Sequence, residues 1–243
     1  MENTFLSVII PAYNEEARIK NTLEKIHSYL KNQDYTYEII IVNDGSTDNT
    51  WALVNEIAQK IKEVRILKNE KNRGKGFTIK KGFLNAKGKY LLFTDADLST
   101  PIEEVEKLIS WLKKGYDIAI GSRALKESHI QIHQPWYREL AGRIFNLFVQ
   151  AMAVPGIKDT QCGFKCFAQK AALEICERQK IEKFSFDVEM LYIGRKLGYK
   201  IKEVPICWFN NPHTKVNFLK DGYRMCLDLI RIRLNELRGD YER

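Results

Sequence analysis

The sequence predicts an α/β fold, with a mostly parallel sheet flanked by helices. Three observations carry the prediction. Short apolar, β-rich runs alternate with stretches of helical spacing through the first half of the chain. The runs read as near-continuous apolar segments, as strands covered on both faces do. Acids, glycines and an arginine cluster immediately after these runs, where open α/β sheets bind ligands beyond the carboxyl ends of their strands.

Each element follows from its local pattern. Leu6 to Ile10 is a first strand, ended by Pro11. From Glu15 to about Leu30, the residues Ile19, Leu23, Ile26 and Leu30 fall on one helical face. Glu38 to Val42 is a second buried strand, and Ser46, Thr47 and Asp48 offer caps for a helix reaching about Ile61. Val64 to Leu67 is a third strand, followed by a basic glycine loop and a helix from about Gly76 to Ala86. Tyr90 to Phe93 is a fourth strand. Pro101 opens a helix reaching about Lys113. Asp117 to Ile120 is a fifth strand. Strands and helices alternating at this spacing imply right-handed βαβ units. The second half reads differently: amphipathic helices over Trp136 to Val154 and Asn217 to Arg238, with a late strand at Lys202 to Ile206. The expectation is a single domain over 1–243, with a nucleotide half to about residue 98 and an acceptor half from about 99.

Bulk properties exclude several classes. With 243 residues, 44% of them apolar and 29% charged, the chain is long and apolar enough to bury a core, unlike a disordered segment. Five cysteines, odd in number and without a C-x-x-C pair, argue against a disulfide framework or structural zinc. Reduced thiols in a cytosolic compartment are the expectation. Met1 to Thr4 lacks the basic, then apolar, pattern of a signal peptide, and no apolar run approaches the ~20 residues of a membrane span. The net charge of +8 suits a polyanion: nucleic acid, an anionic membrane or a phosphorylated small molecule. No nucleic-acid-binding motif accompanies it, so no nucleic-acid partner is expected.

The unusual residues converge on one crevice. The first strand ends in Pro11-Ala12-Tyr13-Asn14-Glu15-Glu16, the second in Asn43-Asp44-Gly45-Ser46, the fourth in Asp95-Ala96-Asp97 and the fifth in Gly121-Ser122-Arg123. Asp95 and Asp97 would repel each other unless a hard divalent cation, bridging to phosphate oxygens, offset their charge. Asp44 reads either as a turn residue before Gly45 or as an acceptor for a nucleotide base or ribose. Asn72 to Gly76 reads as a phosphate-contacting loop carrying Lys75, or as a plain basic turn. P-loop spacing is absent, as is a G-x-G-x-x-G after the first strand.

Together Ser7 to Glu16, Val42 to Asp48 and Asp95-Ala96-Asp97 resemble the family 2 glycosyltransferases with the GT-A, Rossmann-like fold. In the second half, Gly121-Ser122-Arg123, Asp159 to Lys165 and Phe186-Asp187-Val188-Glu189 look like the dolichyl-phosphate β-glucosyltransferases, and are similar to the mannosyl enzymes too. The resemblance implies an inverting, metal-dependent transfer of a sugar, glucose from UDP-glucose, onto a dolichyl or polyprenyl phosphate. Alternatives are a GDP-mannose-dependent mannosyl enzyme, or a soluble enzyme acting on a sugar hydroxyl or small metabolite. The resemblance assigns Pro11, Tyr13, Asn14, Glu15 and Asp44 to the nucleotide, and Asp95 and Asp97 to Mg²⁺ or Mn²⁺ with the diphosphate; Lys75 joins the donor-binding candidates through the phosphate reading of its own loop. In the mannosyl enzymes a Gln stands two residues past the second Asp; here that residue is Ser99.

A lipid phosphate is largely anionic near neutral pH and attacks without a general base. Arg123 and Arg138 are candidates for gripping it, since guanidinium forks suit phosphate. Asp187, with Glu189 and Asp159, reads either as a base for a hydroxyl acceptor or as an orienting group; for Asp187 and Glu189, acids favoured at a helix start is a further reading. Lys215 is a candidate to close over the site. The amphipathic stretches suit peripheral docking on the cytoplasmic face of a membrane, or ordinary core packing.

Overall fold

A computed structural model describes residues 4–132, 136–209 and 218–242. Its centre is a seven-stranded sheet. The strands in chain order are β1 (Leu6–Ala12), β2 (Tyr37–Asn43), β3 (Val64–Lys68), β4 (Tyr90–Thr94), β5 (Ile118–Ser122), β7 (Phe164–Ala168) and β8 (Ile201–Pro205). Their spatial order is β3-β2-β1-β4-β7-β5-β8, all parallel except β7, which runs antiparallel to both its neighbours. β6 (His129–Ile132) and β9 (Cys207–Phe209) form a separate two-stranded parallel ribbon.

Alternation along the strands divides the core into two layers. Ile9, Phe93 and Phe167 face α3 (Lys75–Leu84), α5 (Trp136–Met152), α6 (Gln169–Arg178), α7 (Phe186–Lys196) and α8 (Phe218–Leu237). Val8, Ile10 and Leu92 face α1 (Ile19–Leu30), α2 (Thr50–Lys60) and α4 (Val105–Lys113). Gly82 of α3 is required by this packing: a Cβ there would lie 2.4 Å from an Ile9 methyl, so the helix sits directly on the strand.

The chain runs from β1 outward through β2 to β3, then returns to the other side of β1 as β4. That reversal leaves a crevice at the carboxyl ends of β1 and β4. β4 and β5, successive parallel strands in the chain, are not neighbours in the sheet. β7 lies between them, and because it is antiparallel its first residues reach the same edge of the sheet as the carboxyl ends of the others. The segment from Asp159 to Phe164 thereby enters the site.

Candidate active site

The loops after β1 and β2 are laced together at the crevice. Asn14 Oδ1 accepts from the Thr47 amide at 2.8 Å, while the Asn14 amide donates to Ser46 Oγ at 3.0 Å. The Glu15 amide donates to Thr50 Oγ1 at 2.7 Å. The Glu16 amide donates to Asp48 at 3.1 Å, and the Asn49 amide returns a bond to Glu16 at 2.9 Å. Asn14 reaches this geometry with φ 53°, a region asparagine tolerates. Pro11 pairs in register with Val42, and Tyr13 is 37% exposed at the rim. Glu15 is buried against Arg18.

Asp44 is buried, and its carboxylate does not close its own turn. Its carboxylate accepts from the Asn69 amide group at 2.8 Å and from the backbone N–H groups of Arg73 at 2.9 Å and Gly74 at 2.8 Å. It therefore pins the basic loop rather than its own turn. The loop crosses Gly45 so closely that a Cβ there would lie 2.6 Å from the Lys71 carbonyl carbon; Gly45 also holds φ +66°. Arg73 is held by Glu182 and stacks over Phe77.

The acidic turn after β4 is held from several sides. Thr22 Oγ1 donates to the Ala96 carbonyl at 2.6 Å. Lys75 Nζ lies 2.6 Å from Asp95. A Cβ on Gly163 would lie 2.0 Å from Asp95 Oδ2, so that carboxylate rests in a space only glycine leaves open. Leu98 completes the turn at φ 50°, a strained conformation for a leucine. Asp97 accepts from the Ser99 amide at 3.0 Å and forms no ion pair among the described residues. Burial first, and the neighbouring Asp95 charge second, hold its carboxyl above the ordinary aspartate value.

Behind the turn, the acids are committed within the protein. Lys165 is fully buried and forms an ion pair with Asp187 while also donating to the Cys162 carbonyl. Arg123 meets Asp159 through a fork, Nε to Oδ2 at 2.7 Å and Nη2 to Oδ1 at 2.9 Å, and faces the Trp208 ring. Arg123 is therefore not a free cation; two of its five N–H donors are occupied. Glu203 accepts from the amides of Lys158 and Asp159 at 2.8 and 3.0 Å, fixing that carboxylate's approach. Glu189 accepts from the Ile181 amide at 2.7 Å and from Tyr241 Oη at 2.8 Å. Asp187 and Glu189 lie in the first turn of α7, as the helix-start reading had them, and both are buried and engaged with side chains or loop backbone. The Arg138 side chain and Lys215 lie outside the described residues.

Three contributors escaped the sequence reading. Lys165 hides in a short strand where a lysine reads as solvent-facing. Gly163 acts by what it lacks. Arg18 pairs with Glu15 within electrostatic reach of Asp97 and Asp95. The i, i+3 spacing of Glu15 and Arg18 was the one available signal for the last.

The donor set fits a hard divalent cation. Two carboxylates stand at one turn, one of them half-buried without an ion-pair partner among the described residues, which contain no group of three or more His, Cys, Asp or Glu able to close a metal cage. Mg²⁺ and Mn²⁺ suit such a half-built site, completing their shells with water and substrate phosphates.

The sequence model of glycosyl transferase family 2 matches residues 7–174. The chain belongs to this family. Its curated relatives include the dolichyl-phosphate beta-glucosyltransferase of Dictyostelium discoideum, 38% identical over 98% of this chain and 77% of that one. The enzyme of the same name from Saccharomyces cerevisiae is 38% identical over 99% and 77% of the two chains, and that from Homo sapiens 36% over 96% and 76%. Among solved structures, mannosyl-3-phosphoglycerate synthase from Rubrobacter xylanophilus superposes with TM-score 0.70 at 17% identity, covering 99% of this chain and 76% of its own. Glucosyl-3-phosphoglycerate synthase from Mycobacterium tuberculosis, in complex with Mn²⁺, UDP and glucosyl-3-phosphoglycerate, gives 0.65 at 19% identity over 96% and 79%. These likenesses bear out the GT-A fold expected from the motifs, and family membership makes the chain a glycosyltransferase.

Proposed function

We propose that this glycosyltransferase moves glucose from UDP-glucose onto a dolichyl or polyprenyl phosphate, inverting the anomeric carbon, with Mg²⁺ or Mn²⁺ bound at Asp95 and Asp97. The relatives matched over nearly the whole chain support the donor and acceptor. The observation that carries the acceptor class is the state of the carboxylates. Asp159 is forked to Arg123, Asp187 is paired with Lys165, and Glu189 holds backbone amides and Tyr241. A hydroxyl acceptor needs a base to take its proton; an ionised phosphate does not.

The chain's own residues then have three tasks. The laced loops bearing Pro11, Tyr13, Asn14 and Glu15 shape the nucleoside side of the crevice, and Asp44 holds the basic loop there, with lone-pair capacity left on its carboxylate for a ribose or base donor. Lys75 and the acidic turn hold the diphosphate end. The N–H groups of Arg123 not used by Asp159, together with Arg138, orient the acceptor phosphate for in-line attack. When bound, the cation supplies charge neutralisation of the leaving nucleoside diphosphate. With a lipid acceptor the proposed reaction takes place at a membrane surface, and the cytoplasmic face is the side we assign to it; among the described residues no helix is long and apolar enough to cross a membrane.

The test is a donor and acceptor matrix. Purified protein with Mg²⁺ or Mn²⁺ is given UDP-glucose or GDP-mannose, and polyprenyl phosphate or a soluble phosphorylated metabolite. Lipid-linked glucose is the expected product. Product from GDP-mannose alone would replace the donor, and transfer to the soluble acceptor alone would overturn the lipid assignment.

A further inference from the structure

Two helices of this fold are apolar on both sides. α5 buries Val149 in the core, and its opposite side carries Leu140, Ile144, Leu147 and Phe148, each between 48% and 65% exposed. α8 buries Leu229 and Ile232, and its opposite side carries Tyr223, Leu227, Ile230, Leu234 and Leu237, between 45% and 81% exposed. Steps of three and four residues put each set on one stripe. The helices pack on each other and into the same core layer. Nine of the twelve large apolar side chains exposed among the described residues belong to these two stripes. Scattered exposed leucines need no explanation, but a concentrated patch does.

The charges beside the stripe identify what covers it. Arg224, Arg231 and Arg238 are all exposed and recur every seven residues, so they line one flank of the α8 stripe. From Tyr223 to Leu237 no fully exposed position is acidic; Asp228 and Glu236 are half-buried, and Glu236 pairs with Lys196 at 2.6 Å. An apolar stripe bordered by arginines matches the boundary between acyl chains and anionic headgroups. A second copy docked through the same face would bring arginine rows together on a chain already carrying +8. β9, the last described strand before α8, donates from the Phe209 amide to the Ser99 carbonyl at 2.8 Å, two residues beyond Asp97.

We propose that the joint outer face of α5 and α8 is the surface on which this enzyme lies on an anionic lipid bilayer. The apolar stripes enter the acyl boundary, and Arg224, Arg231 and Arg238 meet headgroup phosphates. The proposal deepens the lipid-acceptor reading and rests on it for its purpose, but its test requires neither donor nor acceptor.

Purified protein is sedimented with vesicles of phosphatidylcholine alone or mixed with phosphatidylglycerol. The expected result is binding to the mixed vesicles. Arg224→Gln with Arg231→Gln should weaken it roughly 30-fold, at about 1 kcal/mol for each arginine at an anionic surface. Leu227→Glu with Ile230→Glu should abolish it while the thermal melt is retained. Cys226, exposed on α8 while Cys162, Cys166 and Cys176 are buried, gives a readout in the unmodified protein. Mixed vesicles should slow its labelling by a hydrophilic maleimide, followed by peptide mass mapping, at least about tenfold. If wild-type protein stays in the supernatant, or Cys226 labels equally fast with and without vesicles, the proposal is wrong. A dimer by light scattering that Leu227→Glu converts to monomer would also overturn it, assigning the face to a second copy. A sedimenting protein without glucosyl transfer would leave the docking surface standing and remove the acceptor reading.

Discussion

The Lys75 ammonium lies 2.6 Å from the Asp95 carboxylate, joining the basic loop after β3 to the acidic turn after β4. The contact makes the two acids of that turn unequal. Asp95 has a cationic partner and a close-fitting bed at Gly163, whereas Asp97 is half-buried beside its neighbour's charge, with Ser99 as its hydrogen-bond donor and no ion pair among the described residues.

Asp97→Ala removes the carboxylate most in need of a cation. Transfer is expected to fall at least about 100-fold, the scale of losing one electrostatic contact to a developing charge. Thermal melts with UDP should lose the added stabilisation by Mn²⁺. Full activity in this variant would remove the metal from the mechanism.

Gly163→Ala places a methyl 2.0 Å from where Asp95 Oδ2 now sits. The turn must shift, at a stability cost of about 1–3 kcal/mol typical of overpacking. Apparent affinity for the divalent cation, titrated through activity and through melting temperature, should weaken together with kcat. An unchanged cation titration would show that Asp95 does not depend on this bed.

Lys165→Met leaves Asp187 buried without its nearest cation. Breaking such a pair costs about 3–5 kcal/mol. Lys165→Met combined with Asp187→Leu should recover most of that loss in urea unfolding, because neither charge is then stranded. A double variant as unstable as the single one would mean the pair contributes by shape rather than by charge.

Asp159→Asn tests the fork that holds Arg123. Burial acts to raise the Asp159 pKa, and the Arg123 guanidinium overcomes it, holding the carboxyl below its ordinary value. A depressed carboxyl contributes stability that is present above the unfolded value of about 3.9 and lost as pH falls through the folded value. At pH 7 the variant should therefore be less stable by about 3 kcal/mol or more. The gap should close on acidification below pH ~4, where wild-type Asp159 takes up its proton. A gap independent of pH would show that the fork's charge does not matter.

The parallel half of the fold was legible because local pattern and tertiary role agree there. Ile39 to Val42 and Leu91 to Phe93 are apolar on both faces, and the helix facing them repeats Ile19, Leu23, Ile26 and Leu30 at the period of one buried stripe. The site loops were legible for a related reason. Asn14, Asp44, Asp95 and Asp97 follow apolar runs directly, and polar residues at strand ends reach the crevice without needing any long-range detail.

β7 was not legible. Phe164-Lys165-Cys166-Phe167 carries a lysine at its second position, and its charge is tolerable inside the protein because Asp187, 22 residues later, pairs with it. The position of β7 between β4 and β5 is likewise a tertiary fact, and it brings Gly163 and Asp159 to the crevice edge.

By itself the sequence determined the element order of the parallel half, the buried faces of its strands and first helix, and the residue types that border the crevice, since each depends on neighbours within a few turns of chain. Tertiary structure alone decided which of those charged residues remain available. Arg123, Asp187, Glu189 and Asp44 all look fully available in one dimension, yet folding supplies partners 8 to 52 residues away that take up part of their bonding capacity. A buried charge is stable only when paired or hydrogen-bonded, so packing assigns those partners, and Asp97 is left as the half-buried carboxylate of the acidic turn without an ion pair among the described residues.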